Sequence, residues 1–287
     1  MIKIEKTVRF DAALTTQAIS DEISGIYGQS LLKEIQEIIR LYQIYDYCAD
    51  FSAEGTRDYT PADIHYRKAR KLINKEARFL FAKSPEFFVS VPFEEDSQTA
   101  KDEAKNNSTL LTDLIESVRT ENFFNRNLIQ AAKDCFIGKR IAIILNFHKT
   151  TGITISFIPS LEFVYEVDQI NSNVISKLVQ FYTITDSVNR HEQRIYRKKW
   201  FLQNGYCYIV EEIRNGNNQV IEVITPETKT KFTYIPATVV VNDGLAGDLQ
   251  GESDIALLKD AESWFSRMAN ADIDAERKSM NPIKYVQ

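Results

Sequence analysis

Four carboxylates, Asp243, Asp248, Glu252 and Asp254, fall close together along the chain. Oxygen ligands at such spacing could hold divalent cations for phosphoryl chemistry. The same residues also have a structural explanation. Asp243-Gly244 is turn chemistry, and Glu252 and Asp254 stand where the first turn of a helix favours negative charge. The three histidines, His65, His148 and His191, are separated from one another and from cysteine. None therefore suggests a metal ligand or a paired general base. The chain contains no GxGxxG, no Gly-Lys-Ser/Thr phosphate loop, no GxSxG and no HExxH. The expectation is no catalytic residue, no metal site, no cofactor and no enzymatic activity.

A second feature is basic. Seven Lys/Arg lie between Arg67 and Lys83, against the single acid Glu76. On a helix, Arg67, Lys71, Lys75 and Arg78 could contact nucleic-acid phosphate. The alternative is a solvated face whose lysines pair with acids such as Glu94, Glu95 and Asp96.

The third feature is a 28-residue helical pattern over 253–280. At 100° per residue, Leu258, Ala261, Trp264, Phe265 and Met268 fall on one side. Lys259, Ser263, Ser266, Asn270 and Arg277 fall on the other. Asp272 lands in the apolar sector, where a carboxylate needs a cation that its own helix does not supply. A long helix with a one-sided apolar stripe belongs in a bundle or an oligomer. Trp264, Phe265, Met268 and Asp272 are thus candidates for a subunit interface, with a neighbouring copy supplying the cation; the alternative is that the end of the helix bends and Asp272 is solvated.

The elements that would position these residues divide into three textures. Up to residue 138 the pattern is helical, with apolar residues three and four apart over 29–48 and 63–82, and further helices over 108–120 and 122–136. Residues 86–91 look like a short strand, and the polar stretch from 93 looks like a loop. After Gly138 the period becomes two. Strands are expected over 140–147, 152–158, 162–167, 174–183, 193–202, 206–213, 219–224 and 231–235, separated by Thr151-Gly152, Asn204-Gly205 and Asn215-Gly216. Connections this short favour antiparallel meanders over βαβ units. The fold class is α+β: a helical part over 1–138, an antiparallel β-rich part over 139–248, and a long helix within 249–282. A strand-like tail, 283–287, follows.

Composition sets further bounds. The chain has 287 residues, 44% of them hydrophobic and 26% charged, a globular balance. Cys48, Cys135 and Cys207 are widely spaced with no CxxC pair, which excludes a disulfide scaffold and points to a reducing compartment. No apolar run approaches the ~20 residues a membrane span needs, and the N-terminus lacks a signal-peptide pattern. The net charge of −5 argues against a protein that grips nucleic acid over its whole surface.

Two stretches resemble the portal proteins of tailed bacteriophages, of the siphophage type found in phages and prophages of Gram-positive bacteria. The first runs through Val240, Asn242-Asp243-Gly244-Leu245, Gly247-Asp248 and Gly251-Glu252-Ser253-Asp254 to Asn270-Ala271-Asp272-Ile273-Asp274-Ala275-Glu276-Arg277-Lys278-Ser279-Met280-Asn281-Pro282. The second is Tyr66-Arg67-Lys68-Ala69-Arg70-Lys71-Leu72-Ile73-Asn74-Lys75-Glu76-Ala77-Arg78-Phe79, followed by Ser84-Pro85. The resemblance implies a non-catalytic subunit of a dodecameric ring at one capsid vertex. Through such a ring the terminase drives double-stranded DNA in, without sequence specificity, and through it DNA later leaves into the tail. The implied partners are other copies of the chain, the terminase large subunit, the major capsid and scaffolding proteins and the head–tail adaptor, with no membrane. The implied location is the virion, after synthesis in the bacterial host cytoplasm. Residues up to about 248 would form the wing, 253–280 a stem helix, and 283–287 the start of the clip. The rest of the clip, the second stem helix, the channel loop and the crown would be missing, as in a truncated portal. Two alternatives stay open: another head–tail adaptor or minor capsid protein, and a metal-dependent nuclease using Asp243, Asp248, Glu252 and Asp254.

Overall fold

The computed structural model describes residues 28–47, 62, 66–92, 97–148, 150, 152–185, 193–245 and 247–280. His65, His191, Cys48, the acids 94–96 and the tail 283–287 lie outside the described residues. The described elements are α1 (Gly28–Tyr47), α2 (Lys68–Leu80), α3 (Gln98–Glu121), α4 (Phe124–Gly138), strands β1 (Arg140–His148), β2 (Gly152–Pro159), β3 (Phe163–Val167), β4 (Ile175–Thr185), β5 (Gln193–Gln203), β6 (Tyr206–Arg214), β7 (Val220–Lys229) and β8 (Ala237–Val241), and α5 (Asp254–Met280). A 3₁₀ turn, Ser160–Glu162, links β2 to β3. The class is α+β, as the periodicities predict.

The strands form two antiparallel sheets. Five are a continuous meander in the order β3-β4-β5-β6-β7, and three form the order β2-β1-β8. Alternation along the strands sends side chains to two different cores. Leu178 and Trp200 point toward the small sheet and pack with Ala142, Ile144, Ile158 and Phe163. Val179, Phe181 and Ile195 point the other way and meet Ile35, Ile38 and Leu41 of α1, Ile73 of α2, Ile137 of α4 and Ile255 of α5. The five-stranded sheet is therefore covered by the small sheet on one face and by helices on the other. Residues from all three textures share the helical core.

Several elements differ from the sequence expectation, each for a physical reason. Residues 86–91 do not join a sheet. They run beside α3, where Val89 N–H donates to Thr112 Oγ1 (3.2 Å) and Val91 N–H to Ser108 Oγ (2.9 Å). Helical hydroxyls thus satisfy the amides that a strand would give to a neighbour. Helix α3 begins ten residues before the expected 108, because Ser97 caps it by accepting from Ala100 N–H (3.2 Å). Its buried residues are Ala104 and Arg119, so it carries no apolar stripe for a periodicity argument to detect.

Strand β7 continues through Pro226 to Lys229. It is an edge strand, and its pairing with β6 skips at that point, from Glu211↔Thr225 to Ile209↔Thr228. A missing N–H is tolerated there. Residues 231–235 are not a strand. They cross from the large sheet to the small one, inserting Phe232 and Ile235 between the sheets, before β8 pairs with β1 from Arg140↔Val241 to Ile144↔Ala237.

Helices α2 and α5 lie antiparallel. Lys68 and Ala69 meet Glu262, Tyr66 meets Phe265, and Ala62 meets Asp274, so α5 advances as α2 recedes.

Candidate functional site

The acidic loop ahead of α5 is a clasp. Asn242 N–H donates to Lys139 O (2.8 Å) and Glu252 N–H to Asn242 O (2.9 Å), tying both ends of the loop to the start of β1. Asp248 accepts from Gln250 N–H (2.8 Å) and Gly251 N–H (3.3 Å). Asp254 accepts from Asn242 Nδ2 (3.2 Å). Burial pushes the Asp254 carboxyl up; Asn242 offsets part of this, while neighbouring Asp243 adds to it. The outside of the loop is held by Tyr165, whose hydroxyl donates to Leu249 O (2.7 Å). Asp248 and Asp254 thus serve backbone and side-chain hydrogen bonds. Among the described residues no group of three or more His, Cys, Asp or Glu converges on a point where a metal could sit.

His148 is exposed at the end of β1. Cys135 and Cys207 are buried and unpaired. Burial, then Asp254 and Asp134, push the Cys135 thiol up to about 12, so it stays a neutral thiol at physiological pH. No helix among the described residues is long and apolar enough to cross a membrane.

Helix α2 buries Ala69, Ile73 and Ala77 and turns its charge outward. Arg67, Lys71, Lys75 and Arg78 are all exposed. The nearby Lys68 Nζ lies 4.9 Å from the Phe265 ring centroid and Arg70 lies 5.3 Å from that of Tyr45. These are cation–π contacts, with the ammonium and the guanidinium themselves over the rings.

Helix α5 is amphipathic in an inverted sense. Its buried residues are Ile255, Glu262, Ser266 and Asn270, with Leu258 half-buried against the helical core. Leu257 (69% exposed), Trp264 (67%) and Met268 (59%) face away from the chain. Phe265 is shared, with its inner edge in a T-shaped contact with Tyr66 at 5.3 Å between centroids. Asp272 is exposed on the outer side, so it is not an uncompensated charge within this chain. The expectation that Ser266 and Asn270 form a face opposite to Trp264 and Met268 is met, and that polar face is the one turned inward.

The inner face has a definite task. Helix α2 has no side-chain cap of its own, and Glu262, only 3% exposed, supplies one from a distance. Its Oε1 accepts from Lys68 N–H (2.8 Å) and Ala69 N–H (3.4 Å). A carboxylate at the positive end of a helix satisfies orphan amides and the helix dipole together. Asp274 likewise accepts from Ala62 N–H (2.8 Å). Glu262→Ala is expected to cost about 1–3 kcal/mol, because it strands buried donors that bond a charged group. It should lower the urea midpoint and leave the slope of unfolding unchanged.

Of the candidate residues, the structure sets the basic residues of α2 and the apolar residues of α5 on neighbouring helices, joined through Lys68 and Phe265. The four acids are not gathered into one site. Residues that sequence reasoning missed are Glu262, the Glu34–Arg140 pair, and Asn122, whose side chain donates to Ile153 O (3.0 Å) and accepts from Ile155 N–H (2.9 Å) of edge strand β2. Of these only Glu262 has a sequence signal, the four-residue spacing of Glu262, Ser266, Asn270 and Asp274 along α5. No protein-family model and no curated protein matches this chain.

Proposed function

We propose that the chain is a structural subunit of a tailed-phage portal, a ring at the capsid vertex through which DNA is packaged and ejected. The observation that carries this is the outward apolar stripe of α5. Leu257, Trp264 and Met268 lie on the side of the helix opposite the one buried in its own chain. Large exposed apolar side chains aligned along one helix face mark a surface that another molecule covers. In a ring, the occupant is the next copy, through a heterologous contact that closes by rotation. On this view α5 is the stem helix, and the sheets with α1–α4 form the wing. The terminase large subunit, the capsid and scaffolding proteins, the head–tail adaptor and passing double-stranded DNA are its partners.

Light-scattering mass with negative-stain images of the same sample tests it. The expectation is closed rings, about 400 kDa for twelve copies of a 33.0 kDa chain. Trp264→Asp with Met268→Asp should reduce the mass to that of one chain while leaving its far-ultraviolet circular dichroism spectrum unchanged, since both side chains are exposed in the single chain. Asp272→Ala should weaken assembly, having removed the charge that a neighbouring copy's cation meets. A single 33.0 kDa species at every concentration overturns the proposal.

A further inference from the structure

Helix α2 separates burial from charge around its axis. Arg67, Lys71, Lys75 and Arg78 fall within an arc of about 80° at 100° per residue, centred nearly opposite the buried stripe Ala69-Ile73-Ala77. All four are exposed. Among the described residues none of them has a carboxylate within ion-pair distance, whereas Lys83, just past the helix, pairs with Glu86 at 3.1 Å. The one acid of the helix, Glu76, stands about 140° round from the centre of that arc. Its carboxyl is pushed up by partial burial and then by Asp254. The positive field continues onto α4, where the Lys133 ammonium is pushed down by partial burial, then by Arg78 and Arg70.

Length and charge density identify the occupant. From Arg67 to Arg78 the helix rises about 16 Å, and a DNA duplex of that length carries about ten phosphates, one per ~1.7 Å of axis. An extended peptide, acidic at every residue, offers at most one charge per ~3.3 Å. The side of the duplex that faces the helix, about half of its phosphates, thus offers about five charges on a rigid rod to the four cations, whereas a peptide matches that number only if it is acidic at every residue and held extended. The whole chain carries −5, so without these four cations the rest of it carries −9 (31 Lys/Arg against 40 Asp/Glu), which repels a polyanion and confines contact to this face.

We infer that the outward face of α2 docks on the phosphate backbone of double-stranded DNA through Arg67, Lys71, Lys75 and Arg78. The contact carries no base readout, because charges on phosphates position without specifying sequence. It lies on the helical region rather than on α5, and it stands on the geometry of α2 alone. A chain that proves monomeric by light scattering overturns the ring and leaves this contact to be decided separately.

The test is fluorescence anisotropy of a labelled duplex of about 30 base pairs, titrated with the full chain at about 50–250 mM KCl. Four phosphate contacts at about 0.9 each give an expected slope of log K on log salt near −3.6. Lys75→Ala should bring it to about −2.7, Lys75→Arg should leave it unchanged, and alanine at all four positions should abolish binding. Duplexes of different base composition should bind within about twofold of one another. Absence of binding at the lowest salt overturns the inference, as does an unchanged slope in Lys75→Ala. Displacement of DNA by polyglutamate at equal charge also overturns it, by assigning the stripe to an acidic protein. The single Lys75 substitutions decide the matter even if the fourfold variant fails to fold.

Discussion

Gly251→Ala is expected to destabilise the protein by about 4 kcal/mol or more, an exceptional effect for one methyl group. Gly251 sits at φ +70° in the clasp between β8 and α5, a conformation that costs an L-residue about 1–2 kcal/mol by itself. A Cβ at this position would stand 2.6 Å from Asn242 O, 2.6 Å from Val241 Cγ1 and 2.7 Å from Lys139 O. Two of these are backbone oxygens already fixed by the hydrogen bonds that close the clasp, so they cannot yield without opening it. The same loop contains its own control. At Gly247, with φ +87°, a Cβ would meet nothing within 4 Å, so Gly247→Ala should cost only the backbone strain of about 1–2 kcal/mol. Urea unfolding of the two variants separates the effects. Equal losses would show that strain, rather than the close approach of β1 and β8 backbone, makes glycine necessary at 251.

The clasp also explains what sequence can and cannot disclose. Periodicity locates α1, α4 and most strands closely because each buries a regular stripe: Ile35, Ile38, Leu41 and Tyr42 on α1, or Leu178 and Trp200 against Val179 and Ile195 in the sheet. Where burial is sparse, as on α3, or where a strand lies at an edge, as β7 does, the pattern gives no boundary. The inward polar side of α5 is hidden for another reason. Amphipathicity says which residues share a face, not which face meets the chain. The buried side is chosen by partners far away in sequence: Glu262 by the amides of Lys68 and Ala69, and Ser253 by Phe136 O (3.1 Å), to which its hydroxyl donates. Such ties leave no local spacing to read. The apolar candidates Trp264, Phe265 and Met268 are legible from type alone, and so is the basic face of α2. That no acid pairs with that basic face among the described residues takes three dimensions to see.

The second large effect is expected at Glu34. Its carboxylate receives both terminal nitrogens of Arg140, at 2.6 and 3.1 Å. Glu34 is 7% exposed and Arg140 5%. The pair binds α1 to the first residue of β1, and Arg140 Nη1 reaches on to Gln250 O of the clasp at 3.4 Å. Removing one partner leaves the other as an uncompensated buried charge, so Glu34→Ala should cost about 3–5 kcal/mol. Arg140→Met in the same chain should recover much of that loss, because the stranded guanidinium, rather than the attraction of the pair, dominates the penalty. The neighbouring pair, Lys139 with Glu37 at 3.1 Å, has the same sign order and ties α1 to the same end of β1, but its Glu37 side chain is 52% exposed. Glu37→Ala should therefore cost less than about 1 kcal/mol. A double-mutant cycle in urea across Glu34, Arg140, Glu37 and Lys139 reads all of these at once. If Glu34→Ala proves no costlier than Glu37→Ala, α1 is held by its apolar stripe on the sheet, and the buried pair adds nothing to it.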